Sequence, residues 1–166
     1  MRFMAPATVL VVDDDPVILK LLEVNFEMEG FEVVRASDGA EGLERARAVH
    51  PDIVVLDVMM PRMTGYEVAK ALREDPDTAH IPIIFVTARA QSQDVERGME
   101  LGVDDYVTKP FDPLDLIARV NVLLARSQAA RSQAAADANG DRPSGPAGPG
   151  QPAAAGDPDR PLGPRL

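Results

Sequence analysis

Short apolar runs alternate with amphipathic stretches along the first 126 residues of the chain. Five of these runs have the length and the β-branched content of strands, and they cover residues 8–12, 32–35, 52–56, 81–86 and 103–107. Between them, apolar residues recur at helical spacing: Val17, Leu21, Val24 and Met28 fall on one face, as do Leu114, Ile117, Asn121 and Leu124 with one polar break. The pattern predicts a strand followed by a helix, five times over.

Helical crossovers of this length predict an α/β fold, a doubly wound parallel sheet with helices on both faces, because right-handed βαβ connections pack back onto the sheet. The first, third and fourth strands are apolar almost throughout, which is typical of central strands buried on both sides. The second and fifth carry Glu32, Arg35 and Asp104. We therefore expect these two strands to lie near the edges of the sheet.

The composition changes sharply near residue 127. Residues 127–166 contain no Val, Ile, Met or aromatic residue and are rich in Ala, Gly and Pro. Such a segment buries too little apolar surface to offset its ordering entropy, so we expect a disordered tail, with helical run-on through residues 127–138. Four arginines and four aspartates cancel within this tail, so the whole net charge of -10 belongs to residues 1–126, the single predicted domain.

Charge and cysteine content exclude several functions. A charge of -10 argues against direct binding to nucleic acid or to an anionic membrane surface, since both need clustered Lys and Arg. No apolar run approaches the roughly 20 residues that cross a bilayer. The chain has no cysteine, which excludes a disulfide framework, a thiolate zinc site and a cysteine nucleophile. We expect a cytoplasmic protein.

Polar side chains stand where the predicted strands end. Strand one is followed by Asp13, Asp14 and Asp15, strand three by Asp57 and strand four by Thr87, and strand five leads to Lys109. The carboxyl ends of parallel strands meet at one edge of an open sheet, where ligands bind. We therefore expect carboxylates, a hydroxyl and an ammonium group to converge on one rim.

Clustered carboxylates repel one another unless a cation lies between them. Hard oxygen ligands without His or Cys favour Mg²⁺, which leaves room for a phosphate oxygen. In such a site Lys109 would face a phosphoryl oxygen, the Thr87 hydroxyl would donate to another, and Asp57 is the candidate nucleophile. The sequence therefore predicts that this rim binds Mg²⁺ and carries out phosphoryl chemistry.

Each of these residues also has a purely structural interpretation. Asp15 before Pro16 has the pattern of a helix N-cap followed by proline at the first helical position, and for Asp15 we prefer that role. Thr87 alone could simply close a strand, and Lys109 alone could be a surface lysine. Their joint placement on successive strand ends favours a site. His50 and His80 precede strands, at the opposite rim, and we assign them no role.

Four motifs in the domain resemble one known family. VLVVDDDP, LDVMMPRMTG, VTAR and DDYVTKPF have the order and spacing of the receiver domain of two-component response regulators, and the resemblance covers roughly residues 7–126. It implies a flavodoxin-like (βα)5 fold with strand order 2-1-3-4-5. It also implies that Asp57 is the phosphoacceptor, which takes a phosphoryl group from the phosphohistidine of a sensor kinase.

The resemblance assigns roles to the surrounding residues as well. Asp13 and Asp14 would hold Mg²⁺ together with Asp57 and the backbone carbonyl of Met59. Thr87 matches the switch hydroxyl and Tyr106 the aromatic residue that turns inward with it. Lys109 matches the lysine that contacts the phosphoryl group, and the Lys109–Pro110 peptide would be cis.

These roles imply a signalling protein without an independent substrate. Its partners would be a sensor histidine kinase or a phosphotransfer protein, and a downstream protein that binds the surface of the fourth helix, fifth strand and fifth helix. Similarity to receivers of winged-helix transcription factors suggests a homodimer through that surface, with Asp104 or Asp105 paired to Arg119 or Arg126. We recognise no output domain after Arg126. Met59 and Arg89 would obstruct attacking water and slow self-dephosphorylation.

The competing hypothesis is a small Mg²⁺-dependent phosphatase of the haloacid-dehalogenase type. The stretch from Asp13 to Val17 fits its DxDxV pattern, which would make Asp13 the nucleophile. Against this, Asp104 and Asp105 precede Lys109, whereas the phosphatases have the lysine first, and Asp57 would have no role. A metal-free binding module with decayed chemistry is the third alternative, and the complete set of matched positions disfavours it.

Overall fold

The computed structural model describes residues 5–88 and 91–140. Its strands are β1 (Thr8–Val12), β2 (Glu32–Ala36), β3 (Ile53–Leu56), β4 (Ile83–Thr87) and β5 (Asp105–Thr108). The helices that alternate with them are α1 (Pro16–Met28), α2 (Gly39–Val49), α3 (Gly65–Glu74), α4 (Ser92–Glu100) and α5 (Pro113–Gly140). Every predicted strand is present, and its bounds differ from the prediction by no more than two residues.

The five strands form one parallel sheet in the order β2-β1-β3-β4-β5. This confirms the doubly wound α/β fold and the predicted strand order. β3 and β4 are buried along their whole length, as their apolar sequences predict. β2 and β5, the strands with charged residues, are the two edges.

Alternate residues of each strand point into two cores on opposite faces of the sheet. On one face, Val9 and Val11 of β1 pack with buried residues of α1 and α5. On the other face, Leu10 and Val12 pack with buried residues of α2 and α3. Both faces of the central strands are therefore covered, which explains why these strands show no polar alternation.

The sequence pattern does not identify the buried face of α1. The residues with the predicted helical spacing are largely exposed: Val17 by 71%, Leu21 by 38%, Val24 by 41% and Met28 by 77%. A second apolar series, Leu19, Leu22 and Phe26, faces the sheet instead. The helix therefore presents an apolar outer stripe, here called the α1 stripe, which consists of Val17, Leu21, Val24 and Met28.

The predicted face of α5 is only half correct. Ile117 and Leu124 are buried, but Leu114 is 65% exposed and Asn121 is exposed. The buried face also includes Leu116, Val120 and Leu123. Each of these lies one residue before a predicted position.

The chain separates into two units, Met1–Ser127 and Gln128–Leu166. Of the second unit, residues 128–140 are helical and continue α5, where the alanine-rich sequence allows run-on. The disorder predicted for residues 141–166 lies outside the described residues. Within the described part of the chain, no helix is both long and apolar enough to cross a membrane.

Arg73 of α3 bonds the segments that precede β4 and β5, at the rim of the sheet where these strands begin. Its guanidinium donates to the carbonyl oxygens of Ala79 (3.0 Å), Ile81 (2.6 Å) and Gly102 (2.8 Å). It also donates to the carboxylate of Asp104 at 3.1 Å, and the same carboxylate oxygen accepts the Ile83 amide at 2.9 Å. One half-buried cation thus joins α3 to the segments that lead into two strands.

Candidate functional site

The sheet ladder fixes the backbone of the strand-end residues. Asp57 N–H donates to the Val12 carbonyl at 2.9 Å, and Asp13 N–H donates to the Ala36 carbonyl at 3.1 Å. Lys109 N–H likewise donates to the Thr87 carbonyl at 2.8 Å. These side chains therefore begin from rigid positions, although each residue except Thr87 lies beyond its strand.

Asp13, Asp57 and Lys109 meet at this rim. The Lys109 ammonium lies 2.9 Å from Asp13 Oδ2 and 3.4 Å from Asp57 Oδ2. Burial alone would lower the pKa of Lys109, but the hydrogen bond and the charge of Asp13, together with Asp57, outweigh burial and raise that pKa above its ordinary value. Lys109 is therefore a permanent positive charge facing two carboxylates.

Asp57 is the central carboxylate and is only 4% exposed. Its Oδ1 accepts the Met59 amide at 3.2 Å. Burial, followed by repulsion from Asp13, raises the pKa of Asp57 from 3.8 to about 6, although Lys109 and the Met59 amide act in the opposite direction. The negative charge on Asp57 is under-compensated without a further cation.

Three carboxylates could supply that cation's ligands. Oxygen atoms of Asp13, Asp14 and Asp57 all lie within 4.8 Å of one another. Asp13 and Asp57 are buried, while Asp14 is exposed and leaves one side of the cluster open to solvent. An all-oxygen set around an under-compensated carboxylate fits a hard divalent ion, so the donor chemistry agrees with the sequence prediction. Asp15 caps α1 through its contact with the Val17 amide at 2.9 Å, as predicted.

Thr87 and Tyr106 occupy the neighbouring strands β4 and β5. Thr87 is fully buried at the end of β4. The Tyr106 ring is half-buried and lies edge-on to Phe85, with ring centroids 5.8 Å apart. The Lys109–Pro110 peptide is cis, as the resemblance implies. Arg89, predicted to flank the site with Met59, lies outside the described residues.

Gly65 closes the motif LDVMMPRMTG, but the sequence did not predict its contact with the backbone of Asp57. Its amide donates to the Val58 carbonyl at 3.0 Å, and a Cβ there would overlap the Asp57 carbonyl oxygen. The first residue of α3 therefore packs directly on the backbone of Asp57, which only glycine allows. A glycine that follows the Met–Thr loop and opens a helix is the signal that could have identified this close approach.

The acidic residues near β5 have partners within the chain. Arg119 bonds both carboxylate oxygens of Asp105 at 3.1 Å, and Asp104 is held by Arg73. His50, at the C-terminus of α2, and His80, before β4, lie at the rim where strands begin, opposite Asp13, Asp14 and Asp57. Asp104 and Asp105 therefore have arginine partners within one chain and do not need a second copy of the protein.

Comparison with known proteins gives a consistent assignment. Residues 9–121 match the family model of the response regulator receiver domain. The chain is 44% identical over 119 residues to the DNA-binding dual master transcriptional regulator RpaA of Synechocystis, which covers 72% of this chain and 49% of the relative. It is 47% identical over 122 residues to the alkaline phosphatase synthesis transcriptional regulatory protein PhoP of Bacillus subtilis, which covers 74% and 50%.

A solved structure supports the same family assignment. A putative response regulator from Chloroflexus aurantiacus superposes with a TM-score of 0.69 at 38% identity, covering 72% of this chain and 98% of that one. The chain spans about half the length of the curated relatives it matches. These matches favour phosphorelay signalling over phosphatase chemistry. With its fold, its motifs and its matched residues, the chain belongs to the receiver domain family of the response regulators.

Proposed function

We propose that Asp57 accepts the phosphoryl group in this receiver. The observation that carries the proposal is the arrangement at the rim, where a buried carboxylate has a permanent ammonium group 3.4 Å away and two more carboxylates beside it. A carboxylate that is rigid, buried and close to a fixed cation is suited to attack an anionic phosphorus centre.

The transfer forms one bond and breaks one. An Asp57 oxygen attacks phosphorus, the P–N bond to the donor imidazole breaks, and its electron pair returns to the imidazole nitrogen. The product is an acyl phosphate on Asp57. Lys109 would offset the negative charge of the transferred group, and the Thr87 hydroxyl would donate to one of its oxygens. The backbone bonds of Asp57 keep the attacking atom in place during the transfer.

Mg²⁺ is the proposed resident ion, held by Asp13, Asp14 and Asp57 and by the carbonyl of Met59. When bound, it would neutralise the carboxylates and stabilise the charge that develops on the phosphoryl oxygens. Asp13 has both oxygens engaged, one with the Asp15 amide at 2.9 Å and the other with Lys109. Asp13 thus lies beside Lys109 in the same carboxylate cluster as Asp57, where it would serve as a ligand.

Phosphorylation would change a surface, because it adds roughly one further negative charge and three acceptor oxygens to a crowded pocket. Thr87 would move toward a new oxygen and Tyr106 would rotate inward. The surface of α4, β5 and α5 would then shift between two nearby packings, as a population shift. The proposed output is the binding of a downstream protein to that surface.

Labelling tests this proposal. Wild type, Asp57→Asn and Asp13→Asn are incubated with acetyl phosphate and Mg²⁺, and the labelled residue is located by peptide mass. Wild type should be labelled on Asp57, Asp57→Asn should not be labelled, and Asp13→Asn should be labelled slowly because Asp57 remains. Label that persists without Asp57, or that sits on Asp13, overturns the assignment.

Met59 yields a prediction about the lifetime of the acyl phosphate. Its side chain is 48% exposed and its amide bonds Asp57 directly. A bulky apolar side chain at this position should hinder water, so the phosphorylated form should persist for longer than seconds. Met59→Ser should shorten that lifetime severalfold, as measured by loss of label after the donor is removed. A half-life of seconds in the wild type would contradict the prediction.

The proposed partners are a sensor histidine kinase or phosphotransfer protein and a downstream protein, in the cytoplasm. The charge of -10 supports a domain that does not itself contact nucleic acid. A homodimer through α4, β5 and α5 remains a proposal. The Asp105–Arg119 and Asp104–Arg73 pairs would have to exchange partners if they were to bridge two copies.

A further inference from the structure

α4 has little apolar surface against the rest of the domain. Gly98 is its only buried residue, and the N-cap residue Gln91 makes no side-chain capping bond. Met99 is 59% exposed. Ordinary core packing therefore does not account for the position of this helix, and its docking must depend on a few specific contacts.

Tyr66 of α3 makes two such contacts. Its hydroxyl lies 3.4 Å from the carbonyl oxygen and 3.4 Å from the carboxylate oxygen Oδ1 of Asp94, in the first turn of α4. One turn later, the guanidinium carbon of Arg97 lies 4.1 Å from the centroid of the Tyr66 ring. The buried side chain thus contacts α4 through its hydroxyl, which shares one proton between the two Asp94 oxygens, and through its ring face, by a cation–π interaction.

The ring continues into an aromatic row, defined as Tyr66, Phe85 and Tyr106. Tyr66 meets Phe85 edge-on with centroids 5.5 Å apart, and Phe85 meets Tyr106 in the same way. Gly98 rests on this row, because a Cβ there would stand 3.1 Å from the Phe85 ring and 3.6 Å from the Tyr106 ring. The three rings come from α3, β4 and β5 and form the floor beneath α4.

Tyr66 is also close to Asp57 along the chain and in space. It follows Gly65, whose amide bonds the Val58 carbonyl and whose Cα packs on the Asp57 carbonyl. The backbone around the proposed phosphoacceptor is therefore in contact with the helix turn that carries the Tyr66 side chain. This contact does not pass through Thr87.

We propose that Tyr66 is a positioning residue that holds α4 in its unphosphorylated arrangement and connects Asp57 to α4. This connection meets the one through Thr87 and Tyr106, because the Tyr66 side chain is also hydrogen-bonded to Tyr106. The part of the proposal that concerns phosphorylation rests on the proposed function. Release of Asp94 and Arg97 from Tyr66 would accompany the displacement of α4, so these contacts set how readily the helix moves.

Hydrogen–deuterium exchange of the α4 amides tests the holding role without any phosphoryl donor. Tyr66→Phe removes the hydroxyl, with its contacts to Asp94 and Tyr106, and keeps the ring. Arg97→Gln removes only the exposed cation over the ring, so it tests the contact with α4 without changing Tyr106. Each should accelerate exchange in α4 about threefold, the effect of losing one modest interaction. Arg45→Gln removes a cation from the exposed side of α2 and should leave α4 unchanged.

Acetyl phosphate tests the coupling. The effect of one site on another is reciprocal, so a helix that is released more easily should favour the phosphorylated form. At limiting acetyl phosphate, the steady-state labelled fraction of Tyr66→Phe should therefore exceed that of wild type about twofold to threefold. A purely structural role for Tyr66 would instead speed exchange in β1 and β3 and leave labelling unchanged or lower. Either that result or unchanged exchange in α4 overturns the proposal.

The double variant Tyr66→Phe with Asp57→Asn separates this proposal from the proposed function. It should show fast exchange in α4 and no label. Label in the double variant would refute Asp57 as the phosphoacceptor and leave the exchange result standing. Normal exchange in α4 with labelling confined to Asp57 would refute the role of Tyr66 alone.

Discussion

Asp57 shows how a residue can be poorly suited to stability and well suited to its role. Its carboxylate is withdrawn from water and faces Asp13, so ionisation of Asp57 is unfavourable in the folded chain and its pKa rises to about 6. In the unfolded chain the same group ionises near its ordinary pKa of 3.8. The folded state is therefore penalised whenever Asp57 is charged, and that penalty is largest without metal.

The first prediction is that Asp57→Asn is more stable than wild type near neutral pH in the presence of a chelator. With a folded pKa above the unfolded one, the contribution of Asp57 to stability is fully present below pH 3.8 and is lost as the pH rises through about 6. The neutral amide escapes this loss, which amounts to about 1–3 kcal/mol. Urea denaturation of both proteins at pH 4 and at pH 7 measures the difference.

The advantage of Asp57→Asn should shrink at the lower pH and on addition of Mg²⁺, which would compensate the carboxylate of the wild type. Asp15→Asn is the matched control, because asparagine also caps helices and Asp15 has no part in the carboxylate cluster. An equal gain in the control, or a gain that grows as the pH falls, would contradict the explanation.

The residues of the site differ in how far sequence could identify them. Asp13, Asp14, Asp57, Thr87 and Lys109 were predictable, because they follow strands and the ends of parallel strands meet. Gly65, Tyr66 and Arg73 were not, because they belong to a helix whose local pattern is ordinary. Their importance comes from neighbours distant in sequence, such as Asp94 and Gly102, which no local pattern records.

Among the helices, α1 explains why periodicity alone could not orient an element. Two apolar series with helical spacing run along it, and only one of them faces the sheet. The exposed series, the α1 stripe, begins two residues after the capping Asp15, beside the carboxylates. If Asp57 is the phosphoacceptor, as proposed, a protein that phosphorylates it would have to cover this rim, and the α1 stripe is positioned to contact that protein.

The second prediction concerns the α1 stripe. Val24→Glu should slow phosphotransfer from a histidine kinase that labels the wild type, roughly tenfold or more, because it places a charge in an apolar contact. Labelling by acetyl phosphate should not change, since the pocket is intact. The rates of both reactions are measured by incorporation of labelled phosphate.

Val122→Glu on α5 makes the same chemical change at a similarly exposed position, 50% against 41% for Val24. It should not affect the kinase reaction. If both variants slow transfer equally, the effect is one of added charge on an acidic domain, and the α1 stripe is not a contact surface.

For the molecule as a whole, Arg73 joins segments that the strand pattern leaves separate. It holds α3 to the entries of β4 and β5 at the rim opposite the acids. Its planar guanidinium group donates hydrogen bonds to carbonyl oxygens in several directions, and the single ammonium group of lysine cannot reach all of them. The fold therefore depends on a cation that the hydrophobic pattern did not indicate.

The third prediction is that Arg73→Lys lowers the free energy of unfolding by about 2–3 kcal/mol, since two or more carbonyl oxygens, among them that of the buried Ile81, lose their donors. Arg47→Lys, which alters a half-exposed pair with Asp75 at 3.4 Å, should cost about 0.5 kcal/mol or less. Urea denaturation compares the two variants. Equal effects would mean that Arg73 acts only as a surface ion pair.

The aromatic row has a practical consequence for the whole molecule. The chain contains two tyrosines and no tryptophan, and the two tyrosines are the ends of that row. Tyrosine emission from this protein, excited at wavelengths that phenylalanine does not absorb, therefore arises only beneath α4, and Tyr66→Phe leaves Tyr106 as its single source. The molecule carries an intrinsic optical reporter beneath the helix that is proposed to move, so changes in α4 can be followed in real time without attaching a dye.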